Sequence, residues 1–154
     1  MKKCSSNCNT RPKLIRNLKE LENTLPVKYS VWPISNGSIY DCIGSIVGPE
    51  NTPYENGIFY VRISLPTHNH GTFANIKFLT KIYHPNISAQ EGNVSSLKLR
   101  EARNDIMLII ETLYSILTHP DLENSENIEA RDCYIEDIKE FNKGAAEWTR
   151  LYAS

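Results

Sequence analysis

The amino-acid sequence predicts one α+β domain, and three observations lead to that prediction. Apolar residues recur at helical spacing near the start of the chain, four segments with strand character follow, and the second half returns to helical periodicity. A chain of 154 residues is also the size of one domain with one hydrophobic core. We therefore expect residues 1–10 to form a disordered tail and residues 11–154 to form a single domain.

The first predicted helix covers residues 11–25 and is amphipathic. Its apolar residues recur at helical spacing, charged residues occupy the other faces, and Pro26 marks its end. The apolar residues are Leu14, Ile15, Leu18, Leu21 and Leu25.

Four strands are predicted after this helix, over residues 28–32, 38–47, 58–65 and 76–79. These segments are rich in β-branched and aromatic side chains, and residues that break regular structure, such as Gly48-Pro49, separate them. The Asn36-Gly37 dipeptide predicts a tight turn between the first two strands. Because short connections join consecutive strands, we expect the sheet to be an antiparallel meander.

The second half of the chain changes character. Residues 82–99 show no clean period and contain Pro85 and Gly92, so we expect a long irregular segment, which in a compact domain is usually functional. Residues 105–117 predict a helix that is apolar nearly all round and therefore buried. One or two closing amphipathic helices are predicted over residues 126–134 and 135–152, and the side chains expected to face inward are Phe141, Trp148 and Leu151.

Charge and composition exclude several classes of protein. The net charge of −1 gives no overall field that would attract nucleic acid or an anionic membrane. The longest apolar runs are far shorter than the roughly 20 residues of a membrane span. Met1-Lys2-Lys3 is not followed by the apolar stretch of a secretory signal, so we expect a cytoplasmic or nuclear location.

We expect no metal site and no cofactor. His68 and His70 have no thiol or carboxylate placed with them by a motif, and a solvated loop is the simpler interpretation. The four cysteines are expected to be reduced thiols, with Cys42 in the core and Cys133 buried or half-buried. The other two cysteines, in the predicted tail, are Cys4 and Cys8.

Four motifs occur in order along the chain. They are Gly48-Pro49 with Thr52-Pro53-Tyr54, Gly57-x-Phe59 with Leu65-Pro66, Ile82-Tyr83-His84-Pro85-Asn86-Ile87, and Glu147-Trp148-Thr149-x-x-Tyr152-Ala153. Together they resemble the ubiquitin-conjugating enzyme (UBC) family, from about residue 12 to residue 153. The resemblance implies the UBC fold, with an N-terminal helix, a four-stranded antiparallel meander sheet, an irregular active-site segment and C-terminal helices.

The resemblance also assigns roles near the His-Pro-Asn motif. In the family, a cysteine after this motif takes the C-terminal acyl group of ubiquitin or a related modifier and passes it to a lysine amine. Ser95 stands at the position of that cysteine, Asn86 is the residue that supports the oxyanion, and His84 is structural in the motif. A serine hydroxyl is not appreciably ionised at neutral pH, and no histidine is placed by a motif to act as its base.

Partner-binding residues follow from the same resemblance. The first helix of the family docks the activating enzyme, the open face of its sheet binds ubiquitin non-covalently, and two further positions belong to the ligase surface. The corresponding residues are Lys13, Arg16 and Lys19 on the first helix, Ser30 on the sheet, and Gly71 and Asp105 on the ligase surface. The expected partners are ubiquitin or a ubiquitin-like modifier, an active conjugating enzyme, an activating enzyme or an adaptor protein.

Three functions remain open from the sequence. The first is a natural, catalytically inactive variant that binds a modifier or an active conjugating enzyme. The second is a genuine conjugating enzyme in which Ser95 is an engineered or unusual nucleophile; it includes the neddylation branch, to which residues 21–26 and 127–130 are similar. The third is an adaptor that uses the fold only. The chain departs from the family pattern at Gly71, Leu97, Asp105 and residues 119–125. Because one designed substitution does not explain all of these departures, they favour the natural, inactive variant.

Overall fold

A computed structural model of the chain describes residues 28–35, 38–66 and 73–154. The predicted tail at residues 1–10, the predicted helix at residues 11–25 and the Asn36-Gly37 turn lie outside the described residues. The described part contains a four-stranded sheet followed by four helices. This order confirms the predicted α+β class.

The sheet consists of β1 (Tyr29–Ser35), β2 (Ser38–Val47), β3 (Ile58–Ser64) and β4 (Asn75–Phe78). The strands lie in the order β1-β2-β3-β4, and each pairs antiparallel with the next. The predicted antiparallel meander is therefore confirmed. The predicted bounds agree with β2 and differ by one residue for β3 and β4.

Strand β1 extends past Trp32, where the sequence predicted its end. Pro33 lacks a backbone N–H and is tolerated in a strand only where that donor has no ladder partner. Because β1 lies at the edge of the sheet, no strand among the described residues lies along its other side, and the pairing register with β2 shifts between Pro33 and Ser35. The edge position explains why a proline does not end this strand.

The helices are α1 (Leu97–Ala102), α2 (Ile106–Thr118), α3 (Ile128–Glu136) and α4 (Ile138–Tyr152). Each of the last three begins after an Asp or Asn whose side chain accepts a backbone N–H three residues further on, which satisfies a donor that the helix itself leaves unpaired. The side chain of Asp105 accepts the N–H of Leu108, that of Asn127 accepts the N–H of Ala130, and that of Asp137 accepts the N–H of Glu140.

The two faces of the sheet differ in exposure. Strand β3 alternates between buried and exposed residues, so that Phe59 is buried and Tyr60 is exposed. Helix α2 covers the buried face. At Gly44 in β2 the helix comes so close that a Cβ atom on this residue would lie 3.1 Å from the Cδ1 atom of Ile110. Within the part of the chain that the structure describes, the opposite face of the sheet is left open.

Two predictions about the helices are wrong. The irregular segment ends at Ser96 because residues 97–102 form helix α1, which buries only Leu99 and Ala102 and so gives little periodic signal. Leu151 is 53% exposed, although it was expected to face inward. The buried stripe of α4 is Phe141, Ala145 and Thr149, and a residue two positions beyond Thr149 points to another side of the helix.

Candidate active site

His84 is fully buried and has both ring nitrogens in hydrogen bonds. Its Nε2 lies 2.8 Å from the carbonyl oxygen of Ile116 in α2, and its Nδ1 accepts the backbone N–H of Asn86 at 3.0 Å. The proton therefore sits on Nε2. Burial lowers the pKa of His84 to about 4, partly offset by the hydrogen bond to Ile116, so the ring is neutral at pH 7. A neutral ring held at both nitrogens fixes the main chain of the motif.

The side chain of Asn86 joins three segments of the chain. Its Nδ2 lies 3.0 Å from the carbonyl oxygen of Ser95, 2.6 Å from that of Asp121 and 2.9 Å from that of Asn124. Its Oδ1 accepts the backbone N–H of Asp121 at 2.8 Å. Asn86 is fully buried, and three carbonyl oxygens share its two amide hydrogens. The whole amide group is therefore engaged with the main chain.

Ser95 is half-buried and its main chain is paired with Asn86. The backbone N–H of Ser95 donates to the carbonyl oxygen of Asn86 at 2.9 Å, while its own carbonyl oxygen accepts from the Asn86 side chain. Ser95 lines a cleft of about 240 Å³. Arg100 and Glu126 lie along the same cleft, and exposed Phe73 forms part of its wall. The cleft thus combines an apolar wall with two charges of opposite sign.

A tight turn at residues 88–92 brings Ser95 back to Asn86. The turn closes through two backbone hydrogen bonds of 2.9 Å. Gly92 has a φ of 80°, and a Cβ at this residue would lie 2.1 Å from the carbonyl oxygen of Phe78. Since the backbone N–H of Phe78 donates to the Gly92 carbonyl at 2.8 Å, strand β4 holds the turn in place.

Asp121 connects the turn after α2 to the start of α1. Its Oδ2 accepts the backbone N–H of Leu97 at 3.1 Å and lies 3.4 Å from the hydroxyl of Ser96. Its two carboxylate oxygens also accept the side-chain amide of Asn124 at 3.0 Å and the backbone N–H of Glu123 at 3.3 Å. Burial raises the pKa of Asp121, but these four hydrogen bonds outweigh it and hold the pKa below its usual range.

Of the predicted partner-binding residues, the structure describes Ser30 and Asp105. The Oγ atom of Ser30 lies 2.8 Å from that of Ser45, between β1 and β2 on the open face of the sheet. Asp105 caps α2, so it stabilises a helix terminus in addition to the partner role expected of it. The others, Lys13, Arg16, Lys19 and Gly71, lie outside the described residues.

Cys42 is fully buried and Cys133 is half-buried, as predicted. Burial and the nearby Asp41 raise the pKa of Cys42 to about 11. Within residues 28–35, 38–66 and 73–154, no three His, Cys, Asp or Glu side chains are grouped so that they could hold a metal ion. No helix in the same part of the chain has both the length and the apolar character to cross a membrane.

The family model described as Ubiquitin-conjugating enzyme matches residues 13–149, which is most of the chain. The chain belongs to the ubiquitin-conjugating enzyme family. The resemblance inferred from the four motifs is therefore confirmed.

Relatives and solved structures agree with this family. Ubiquitin-conjugating enzyme E2 1 of Schizosaccharomyces pombe is 30% identical over 149 residues, which cover 95% of this chain and 68% of that protein. Ubiquitin-conjugating enzyme E2 pex4 of Dictyostelium discoideum is 31% identical over 91% of this chain and 97% of its own length. The E2 domain of a Toxoplasma gondii ubiquitin conjugating enzyme has a TM-score of 0.78 at 27% identity, covering 94% of this chain and 99% of that one.

Within this ubiquitin-conjugating enzyme fold, the structure brings together the three residues that the motif singled out. Ser95 contacts Asn86, and Asn86 contacts His84, while their roles in catalysis stay predictions. Sequence reasoning missed Asp121, the residue that links these segments. Its contacts with Asn86 and with the start of α1 span 24 to 35 positions along the chain, so no local pattern could reveal them.

Proposed function

We propose that this member of the ubiquitin-conjugating enzyme family is catalytically inactive and binds ubiquitin, a ubiquitin-like modifier or an active conjugating enzyme. The observation that carries the proposal is a serine, Ser95, beside Asn86 at the position where the family pattern has its cysteine. Acyl transfer to an amine needs a thioester, and an ester is much less reactive. A serine also needs a base, because its hydroxyl is not ionised at neutral pH.

The state of His84 supports the inactive function. It is the histidine of the same motif, yet both of its ring nitrogens are hydrogen-bonded and its pKa is about 4. A ring in this state has no free nitrogen with which to take a proton from Ser95. With neither a thiol nor an activating base, Ser95 would at most accept an acyl group slowly and hold it as a stable ester, so it would not turn over.

The open face of the sheet supports the binding part of the proposal. Large apolar or aromatic side chains are exposed around the Ser30–Ser45 hydroxyl pair, in a register that places them on one face. They are Trp32, Val47, Ile58 and Tyr60. Exposed apolar side chains grouped on one surface commonly mark a site of protein interaction. We place the modifier on this face, and the protein in the cytoplasm or nucleus.

One observation favours a second candidate, a genuine conjugating enzyme of the ubiquitin or neddylation branch in which Ser95 replaces the cysteine. The main-chain contacts among His84, Asn86 and Ser95 are all formed, as a working site would require. If the serine is the only defect, returning a thiol to this position should restore acceptance of the modifier.

A charging assay separates the two candidates. The native chain and its Ser95→Cys variant are incubated with activating enzyme, ATP and either ubiquitin or a ubiquitin-like modifier, and adducts are read by non-reducing electrophoresis and mass spectrometry. We expect neither form to accept a modifier. A thioester on the variant, together with a slow, hydroxylamine-sensitive adduct on the native chain, would instead establish the second candidate.

A titration tests the binding part. Adding the native chain to ¹⁵N-labelled modifier should shift a contiguous set of modifier resonances, and Ser30→Arg should weaken the effect at least about tenfold by placing a desolvated charge in the interface. Glu136→Arg, on the exposed side of α3, is the matched control and should bind as the native chain does. The binding part of the proposal would be refuted if no modifier showed shifted resonances and no complex formed with an active conjugating enzyme. That result would favour the adaptor that uses the fold only.

A further inference from the structure

Helix α3 carries two apolar side chains on the side that faces away from the domain. Ile128 is 59% exposed and Ile135 is 61% exposed. They are seven residues apart, so they lie on the same side of the helix, whereas Ala130, on the opposite side, is fully buried. Within the part of the chain that the structure describes, this isoleucine pair is an uncovered apolar stripe of the kind that marks a site of protein interaction.

Acidic side chains flank the isoleucine pair. By their spacing along the helix, Glu129, Asp132 and Glu136 lie along one side of it, and Asp132 is 2.8 Å from Arg131. The surrounding segment, residues 121–140, contains eight Asp or Glu residues and two Lys or Arg residues, although the net charge of the whole chain is only −1. The charge of this face therefore favours a basic partner, because charges of opposite sign promote association and like charges oppose it.

The opposite charge is concentrated at the start of the same chain. Residues 1–19 contain six Lys or Arg residues and no Asp or Glu. Three of the six, Lys13, Arg16 and Lys19, belong to the predicted amphipathic helix, on faces other than its apolar one. The N-terminal segment therefore has the charge that the α3 face requires of a partner.

The chain enters the described domain beside helix α2. The Nζ atom of Lys28 lies 5.4 Å from the ring centre of Tyr114 in α2, and the ring of Tyr29 lies 6.1 Å from the same ring. The predicted helix ends three residues before Lys28, a distance that the chain can span only up to about 11 Å. We therefore expect the apolar side of the predicted helix to be buried next to α2, which leaves its basic side available to another molecule.

We propose that the isoleucine pair on α3, with its acidic flank, binds the basic N-terminal segment, residues 1–19, of a second copy of this chain. The hydrocarbon stems of Lys and Arg can pack over isoleucine while their charged groups reach the carboxylates. Two α3 helices would not pair with each other, because both are acidic. The contact involves neither Ser95 nor the open face of the sheet, so the inference is independent of the proposed function.

Analytical ultracentrifugation of the full chain tests the self-association. The mean mass should rise with protein concentration at low salt, and raising the salt from about 0.05 M to about 0.5 M should increase the dissociation constant at least about tenfold. Ile135→Arg places a cation against the basic partner and should also weaken association at least about tenfold. Leu151→Arg, at an apolar residue of α4 that is 53% exposed, is the matched control and should associate as the native chain does.

An exchange of charges identifies the two surfaces. One variant combines Glu129→Lys with Asp132→Lys and makes the α3 flank basic, and a second combines Arg16→Glu with Lys19→Glu and makes the N-terminal segment more acidic. Each variant alone should be monomeric, because its two surfaces no longer attract each other. An equimolar mixture of the two should associate again, since each variant then carries the complement of the other. Circular dichroism and urea unfolding establish that both variants are folded.

A charge control reverses two exposed carboxylates away from α3. Glu50→Lys combined with Glu147→Lys should associate as the native chain does, because Glu50 lies in the loop after β2 and Glu147 in α4.

A native chain that stays monomeric at concentrations up to about 1 mM overturns the proposal. Association that survives in either charge-reversed variant alone overturns it too. Failure of the mixture of folded variants to associate also overturns it, and would place the N-terminal segment against its own chain or leave the α3 face to a different protein. The measurement contains no modifier and no activating enzyme, so its failure is distinct from failure of the charging and titration experiments.

Discussion

His84 exchanges its hydration for two buried hydrogen bonds, and this makes the stability of the domain depend on pH. A histidine in the unfolded chain has a pKa of about 6.5, whereas burial lowers the pKa of His84 to about 4 in the fold. Because the folded pKa is the lower one, the contribution of His84 is fully present above about pH 6.5 and is lost as the pH falls towards 4. The difference corresponds to about 3 kcal/mol.

We therefore expect the free energy of unfolding, measured in urea, to begin falling near pH 6.5 and to drop by about 3 kcal/mol by pH 4. Asp41 and Asp121 have pKa values below the usual range, so their contributions are lost only at lower pH. His84→Gln should flatten the curve between pH 6.5 and pH 5 at a lower overall stability. Exposed His119 is the matched control, and His119→Gln should retain the native curve; a His84→Gln curve as steep as the native one would contradict the assignment.

Among the elements, the turn at residues 88–92 sets the distance between Asn86 and Ser95. The positive φ of Gly92 and its close approach to the Phe78 carbonyl leave no room for a side chain. We expect Gly92→Ala to destabilise the domain by at least about 2 kcal/mol, since the backbone conformation alone costs about 1–2 kcal/mol for a residue with a Cβ. The difference in the free energy of unfolding between the native chain and Gly92→Ala is measured by urea unfolding.

Gly144 provides the matched control within α4. A Cβ at this position would lie 3.9 Å from Tyr83, an ordinary contact, and alanine is a better helix former than glycine. Gly144→Ala should therefore stabilise the domain by up to about 1 kcal/mol. If Gly92→Ala and Gly144→Ala changed the free energy of unfolding equally, the turn at residues 88–92 would be able to accommodate a side chain, contrary to what its contacts indicate.

The elements also show where sequence patterns stop being informative. Strand β2 and the buried helix α2 follow from alternation and from an apolar run, which are local properties. Strand β1 continues through Pro33 only because it lies at the edge of the sheet, and helix α1 begins where Asp121 accepts the Leu97 N–H. Both facts depend on the arrangement of distant segments, so the sequence pattern did not predict either.

At the scale of the whole molecule, the same distinction applies to the candidate site. Its position follows from the His-Pro-Asn motif, which places His84 and Asn86 a few residues before Ser95. The hydrogen-bond partners of its side chains do not follow from the motif, because they include the main chain of Ile116 and Asp121, far along the chain. A motif therefore locates the site, whereas the contacts that hold its side chains in place appear only in the tertiary structure.

Helix α2 covers one face of the sheet, and the other face is open as far as the described residues show. We therefore expect stability and binding to depend on different residues. Ile110 is fully buried against β2 at Gly44, whereas Leu108 on the same helix is 44% exposed. Ile110→Ala should destabilise the domain by about 2–5 kcal/mol through lost burial and the cavity left behind. Leu108→Ala should change the stability by less than about 0.5 kcal/mol. Urea unfolding of both variants checks this, and similar losses would mean that α2 does not pack on the sheet as described.

Because Ile110 lies beneath the sheet, its variant should still bind the modifier through the open face at any temperature where it remains folded.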